Sequence, residues 1–204
     1  MTEVITNVEG RPLSRKGLET RRRLLDAAEA VFGELGFPEA SIVKIADAAG
    51  VAPGTFYLYF DSKRAIFVEL MRDLNRRIRR AMSEGAADGA TRVEAEILGF
   101  QAFFRFTSEH PALYRIIRQS EFVAPEMLRF HYERVSEGYV SALSAAMRTG
   151  EIGTIDAEVT SYALMGLGEL VGMRWILWGD GEPMPERVSD ELARIVRCIL
   201  EAKE

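Results

Sequence analysis

Between Ser41 and Lys63 the chain reads SIVKIADAAGVAPGTFYLYFDSK, and no other stretch restricts its folding so tightly. Ser41 is a good helix N-cap, and Ile42, Ile45, Ala46 and Ala49 fall on one face of a short helix that Gly50 ends. After Val51, Pro53 stands in the first turn of a second short helix, where proline is best tolerated. Phe56 and Phe60 lie one turn apart along it. Two short helices about a glycine-centred turn have the helix-turn-helix layout, whose second helix sets its N-terminal residues against base edges in the DNA major groove. Here that helix offers Pro53, Gly54, Thr55 and Tyr57 on the side away from Phe56 and Phe60. The small residues permit close approach to the bases, and threonine and tyrosine bring hydroxyls and flat apolar surface. A helical hairpin that merely packs around a glycine shares the same outline.

The rest of the chain also reads as helix. From Thr20 the residues Leu24, Ala28, Val31 and Leu35 form one stripe, stopped by Gly36 and Pro38. Asp61 or Ser62 caps a fourth helix with Ile66, Leu70, Leu74 and Ile78 inward and Arg76, Arg77, Arg79 and Arg80 outward. Further helices are predicted near 91–109, 111–121, 125–149, 156–178 and 185–203, parted by Gly85–Ala90, Pro111, Pro125, Gly150–Gly153 and Gly179–Pro185. No run alternates as a strand would, and no internal repeat is visible. The expected fold is all-α, of about nine helices: an N-terminal three-helix helix-turn-helix domain and a larger C-terminal helical domain. Residues 1–13 lack periodicity, contain Gly10 and Pro12, and read as a mobile arm.

Charge divides along the chain. Residues 1–80 hold 14 Lys+Arg against 11 Asp+Glu, and residues 81–204 hold 12 against 20, within a net charge of −5. A basic module on an acidic body suits a nucleic-acid partner, although scattered surface charge gives the same sums. The single cysteine, Cys198, cannot form an internal disulfide and sits among Ile195, Val196, Ile199 and Leu200 as a buried hydrophobe would. Met1–Arg11 lacks the apolar run of a secretory signal, and Tyr162–Trp178 is short for a membrane span and carries Glu169 and Arg174. A cytoplasmic protein without membrane attachment is expected. His110 and His131 are the only histidines and neither stands in a metal-ligand pattern. The run Gly166-Leu-Gly168-Glu-Leu-Val-Gly172 has the wrong spacing and no preceding strand for a dinucleotide site, and close helix packing explains it better. No catalytic residues, metal or cofactor are expected, and the chain does not read as an enzyme.

The segment Arg21–Leu70 closely resembles the tetracycline-repressor (TetR) family of bacterial transcription regulators. The matching residues are Ala27-Ala28, Phe32, Gly36, Ile45-Ala46, Ala49-Gly50-Val51, the run Gly54-Thr55-Phe56-Tyr57-Leu58-Tyr59-Phe60, and Lys63. Beyond this first third, only the helical layout is shared. The resemblance implies that Ser41, Val43 and Lys44 touch DNA from the second helix, and that Ala52, Pro53, Gly54, Thr55 and Tyr59 lie on the recognition helix. It implies phosphate contacts for Tyr57 and Lys63, and makes Arg22 and Lys16, near the start of the first helix, plausible backbone anchors. Ala52 departs from the pattern, since a hydroxylic cap is common there. Tyr57 and Tyr59 could instead be core aromatics.

The family layout assigns residues 14–64 to DNA binding and 65–204 to an effector and a second subunit. Candidate pocket residues are Phe104, Arg105, Tyr114, Arg118, Phe122, Tyr139, Met165, Glu169 and Trp175, an aromatic and aliphatic set with charged groups for a hydrophobic or aromatic effector. Stripes at Leu164, Val171, Trp175, Trp178 and at Val188, Leu192, Ile195, Ile199 suggest a homodimer through the last two helices. The expected function is a repressor that holds palindromic double-stranded operator DNA as a dimer and is released by its effector. The rivals are an all-α small-molecule binding or carrier protein whose helix-turn-helix is only structural, and an effector-independent regulator.

Overall fold

A computed structural model describes residues 5–179 and 184–201. The first four residues of the predicted arm, the middle of the predicted Gly179–Pro185 break and the end of the predicted last helix therefore lie outside the described residues. The helices are α1 (Arg15–Glu39), α2 (Ile42–Ala48), α3 (Pro53–Phe56), α4 (Lys63–Ala86), α5 (Arg92–Glu109), α6 (Ala112–Val123), α7 (Pro125–Thr149), α8 (Ala157–Gly172) and α9 (Glu186–Leu200), with one π-helical turn over Met173–Leu177. The fold is all-α, and among the described residues the only β pairing is an isolated bridge between Thr6 and Pro12. No helix among them is long and apolar enough to cross a membrane.

Two compact units divide the chain: residues 1–74 with 115–129, and residues 75–114 with 130–204. The first is thus larger than the stretch 14–64 that the sequence marks for DNA binding. Its centre holds Leu24, Ala28, Phe32, Ile45, Phe56, Ile66, Phe67 and Leu70, each at most 1% exposed. Burying side chains of this size is worth about 1.5–3 kcal/mol each for the larger ones. α1 begins earlier than Thr20 because the Ser14 side chain caps it, accepting the Gly17 N–H at 3.2 Å. Gly36 breaks it at φ 75°, as its position before Pro38 implies, and one further turn follows to Glu39. Leu35 is exposed, and the inner stripe runs through Phe32 instead.

Segment 115–129 belongs to this unit because its polar side chains bond the broken end of α1. Arg115 donates to the Gly33 carbonyl at 2.9 Å, and Gln119 accepts the Phe37 N–H at 2.5 Å. Nearby, Phe32 and Phe37 stack and Phe67 meets both edge-on, with ring centroids 5.3–5.6 Å apart. From Ile5 the expected mobile arm is a hydrogen-bonded turn. The Asn7 carboxamide accepts the Glu9 and Arg11 N–H groups, Gly10 takes φ 78°, and Val8 N–H reaches the Leu58 carbonyl at 3.2 Å.

In the second unit α5 packs against α8, α9 and the π-helical turn, around Phe100, Phe104, Tyr114, Tyr139, Leu143, Leu164 and Leu192. Gly172 lets Tyr114 approach, since a β-carbon there would lie 1.8 Å from the tyrosine hydroxyl. Gly168 similarly faces Phe100. α9 buries Val188, Leu192, Val196 and Leu200 at strict four-residue spacing. Ile195 and Ile199 are therefore only half-buried, and Cys198 is exposed rather than buried.

Candidate functional site

The helix-turn-helix is built as its residues dictate. The Ser41 hydroxyl caps α2 by accepting the Lys44 N–H at 3.2 Å. Gly50 adopts φ 64°, which glycine supplies without strain, and Val51 N–H then returns to the Ala46 carbonyl at 3.0 Å. Ala52 caps α3 with no side-chain bond, and Pro53 supplies the first turn. α3 ends at Phe56, so Ala52 and Tyr59 lie outside its bounds. Tyr57–Tyr59 continue as a tight turn, with Leu58 N–H bonded to the Thr55 carbonyl and Tyr59 N–H to that of Phe56.

Side chains divide sharply across this element. Phe56 and Phe60 are 0% and 3% exposed, whereas Tyr57 and Val43 are 52% and 53% exposed. Pro53 and Gly54 are exposed, Thr55 and Tyr59 are half-buried, and a β-carbon at Gly54 would meet nothing within 4 Å. One face is therefore fixed by core packing, and the other is open to a large partner. Lys44 is exposed and donates to the Glu39 carbonyl at 3.0 Å.

Two basic residues expected at phosphates are engaged within the fold. The Lys63 ammonium donates to the carbonyls of Phe37, Ala40 and Pro38 at 2.7, 2.8 and 3.3 Å, which uses its three donors on the end of α1. Arg22 donates to Asp26 at 2.5 and 3.1 Å and to Asp73 at 2.7 Å. Arg21 likewise pairs with Glu69 at 2.6 Å. Lys63 and Arg22, for which the resemblance implies phosphate contacts, are thus both held by partners within the first unit. Lys16 and Arg23 remain exposed.

The nine candidate pocket residues are not brought together. Arg118 and Phe122 are exposed and belong to the first unit, Phe122 being 85% exposed. In the second unit Phe104 borders a gap of about 10 Å³ beside Phe100 and Leu192, barely room for one water. Tyr114 is buried and donates to Thr107 Oγ1 at 3.2 Å, and burial pushes its phenol well above the usual range. Glu169 accepts the Tyr132 hydroxyl at 2.7 Å. Met165 and Trp175 are half-buried, Arg105 is exposed, and the Arg174 guanidinium lies 5.4 Å from the Trp175 ring centroid.

Tyr139 alone of the nine lines an open cleft, of about 510 Å³, formed by the second half of α4, the start of α5 and the middle of α7. Its charged lining residues are Arg79, from the arginine cluster at the end of the fourth predicted helix, and Arg92, Glu96 and Arg134, which the sequence does not single out. The signal available was the Arg92–Glu96 pair one turn apart on α5, bonded at 3.1 Å. Glu96 is 4% exposed; burial raises its carboxyl, and the Arg92 and Tyr139 side chains partly offset this. Among the described residues no three His, Cys, Asp or Glu side chains form a metal site.

Known proteins share the helix-turn-helix segment. The family of bacterial regulatory proteins, tetR family, matches residues 24–70, which span α2, α3 and their neighbours. The uncharacterized HTH-type transcriptional regulator YdgC of Bacillus subtilis (strain 168) is 30% identical over 176 residues, covering 84% of this chain and 88% of that protein. The HTH-type transcriptional repressor KstR2 of Rhodococcus jostii (strain RHA1) is 30% identical over 166 residues, covering 76% and 78%. In fold, the chain matches the transcriptional regulator FadR of Bacillus subtilis, solved with stearoyl-CoA, at TM-score 0.76 and 21% identity over 90% of this chain and 99% of that one. With its helix-turn-helix, its all-α fold and relatives matched over most of their length, this chain belongs to the TetR family of bacterial transcriptional regulators.

Proposed function

We propose that this protein is a ligand-responsive repressor that holds a palindromic operator as a homodimer and releases it when a small hydrophobic effector binds. The observation that carries the DNA reading is the division of the α2–α3 element into a buried Phe56/Phe60 face and an open face with Val43, Pro53, Gly54, Thr55 and Tyr57. Residues 14–64 then bind DNA, with Ser41, Lys44, Ala52 and Tyr59 flanking the recognition surface. Residues 65–204 hold the effector and the second subunit. The repressor assignment draws support from KstR2, and the effector class from FadR, which was solved with stearoyl-CoA.

For the dimer, α8 supplies an apolar face that stays exposed among the described residues: Val159, Tyr162 and Leu170 are 66%, 44% and 64% exposed. Isolated exposed apolar residues are ordinary, but a face of them along one helix marks an interaction surface. α9 contributes less than its sequence stripe implies, because Leu192 is buried within the subunit.

Selection of duplexes from a random pool by the full-length protein tests this reading. A two-fold dimer should enrich an inverted repeat with half-site centres roughly 34–36 Å apart, or a multiple of that. Thr55→Ala should change the preferred bases, at about 1–3 kcal/mol per altered contact. A pool with no enriched sequence, or an asymmetric site, would overturn the proposal.

A further inference from the structure

The cleft of about 510 Å³ on the second unit has two properties that ordinary helix packing does not explain. The first is its glycines. Gly138 lines it from the middle of α7, where glycine costs a helix roughly 0.5–1 kcal/mol relative to alanine. Yet a β-carbon at 138 would meet nothing within 4 Å, and one at Gly99 would make only ordinary contacts at 3.8 Å. Gly172 and Gly168 admit a neighbouring side chain, whereas among the described residues nothing approaches a β-carbon at Gly138 within 4 Å. Gly138 is exposed on the wall of the cleft, so a side chain there would project into open space. The missing side chain at 138 keeps space open, and the volume is that of a site for a drug-sized molecule, roughly 300–1,000 Å³.

The second property is the sign of its charge. Arg79, Arg92 and Arg134 line the cleft against one carboxylate, Glu96. Glu96 is taken up by Arg92 and Tyr139, and Arg134 pairs with Glu137 at 2.9 Å. The buried Arg92 Nε has no hydrogen-bond acceptor. Arg79 is held through its Nε by Asn75 Oδ1 at 3.0 Å, and Asn75 in turn donates to the His131 carbonyl at 3.1 Å. Among the described residues no carboxylate pairs with Arg79. Arg79 and Arg134 are exposed, whereas the buried Arg92 Nε lacks an acceptor, which is costly; an anion in the cleft would meet that donor and the surplus cationic charge beside it. A cation would have to displace Arg92 from Glu96.

We propose that this cleft binds an amphipathic organic anion, with Arg79 and Arg92 receiving its charged group and the open space beside Gly138 receiving its apolar body. Met82, Val135 and Ala142 supply apolar walls for that body. The assignment rests on the reading of the chain as a ligand-responsive regulator, and it names the chemical class of the ligand.

Titration calorimetry of the full-length protein with four twelve-carbon probes, each below its micellar concentration, tests it: dodecanoate, dodecyl phosphate, 1-dodecanol and dodecyltrimethylammonium. Both anions should bind, with the ratio of their affinities telling a carboxylate site from a phosphate site. The alcohol should bind at least tenfold more weakly, and the cation should not bind. Gly138→Leu should fill the space without a clash, raise the melting temperature and abolish dodecanoate binding. Arg79→Gln should weaken the anions at least tenfold and leave the alcohol unchanged. Equal binding of alcohol and carboxylate, or undiminished dodecanoate binding in a folded Gly138→Leu protein, would overturn the cleft assignment. Dodecanoate that binds as expected but leaves DNA affinity untouched would uphold the cleft and overturn the ligand-responsive reading instead.

Discussion

The Lys63 ammonium sits 2.7 Å from the carbonyl oxygen of Phe37 and 4.4 Å from the centroid of the same residue's ring. One cation therefore satisfies the backbone left open where α1 breaks at Gly36, and covers an aromatic face as well. Hydrogen bonds from charged donors are worth about 1.5–3 kcal/mol each, and carbonyls left without a donor add to the loss. Lys63→Met should lower stability to urea by roughly 2–4 kcal/mol. Under conditions where the variant stays folded, the slope of log affinity for DNA against log salt should match that of the wild type. A phosphate contact would instead reduce that slope by about one unit.

Gly172 and Tyr114 make a second testable pair. A β-carbon at 172 would lie 1.8 Å from the tyrosine hydroxyl and 2.8 Å from its Cζ. Gly172→Ala should therefore cost about 1–3 kcal/mol, as overpacking does. Tyr114→Phe alone should cost about 1 kcal/mol, because Thr107 loses its donor. Combined, the two should cost less than their sum, since removing the hydroxyl opens part of the space the alanine needs. Thermal melts of the four proteins measure the coupling, and strict additivity would refute the clash.

His131 gives the fold a pH dependence of definite sign. It is 7% exposed, and burial, with the Arg79 charge as a smaller cause, lowers its pKa from 6.5 to about 4. Between those values the unfolded chain takes up the proton and the folded chain does not. Stability thus falls as pH drops from 6.5 towards 4 and is level in this respect above 6.5. The full shift amounts to about 3 kcal/mol. His131→Gln should remove this part of the slope, measured as the difference between the two proteins in urea unfolding at pH 7 and pH 4.5. The Glu96 shift acts in the opposite sense but is common to both proteins, so it cancels in that difference.

The local rules were legible in the sequence, and the long-range ones were not. Phe56 and Phe60 inward, the Ser41 cap and the Gly50 turn all follow from neighbours within one helical turn, and the structure has them so. Whether Lys63 points at a DNA backbone or at the carbonyls of α1 depends on a segment more than twenty residues earlier in the chain. Periodicity carries no information about that choice. On α9, stripes through Ile195–Ile199 and through Val196–Leu200 are equally apolar, and only the packing of α5 against the helix selects the second. The cleft is long-range in the same sense. Arg79, Arg92 and Arg134 come from three helices, and charged residues on helices read as solvated surface until their neighbours are known.

The dimer proposal depends on separating two classes of apolar residue at the C-terminal end of the chain. Leu192 is 4% exposed and belongs to the subunit core, whereas Leu170 is 64% exposed on the face of α8 that carries Val159 and Tyr162. Leu192→Glu should bury a carboxylate without a partner and unfold or precipitate the protein, which says nothing about dimers. Leu170→Glu places its charge in water in the monomer, so the fold should survive, with unchanged helical circular dichroism. In a dimer, two such charges would meet across the two-fold axis or be desolvated, costing several kcal/mol. Leu170→Glu should therefore sediment as a folded monomer at concentrations where the wild type is dimeric. Specific DNA affinity should fall by about 10² or more, because the two half-sites are no longer held by one particle. A Leu170→Glu protein that stays dimeric would remove α8 from the interface.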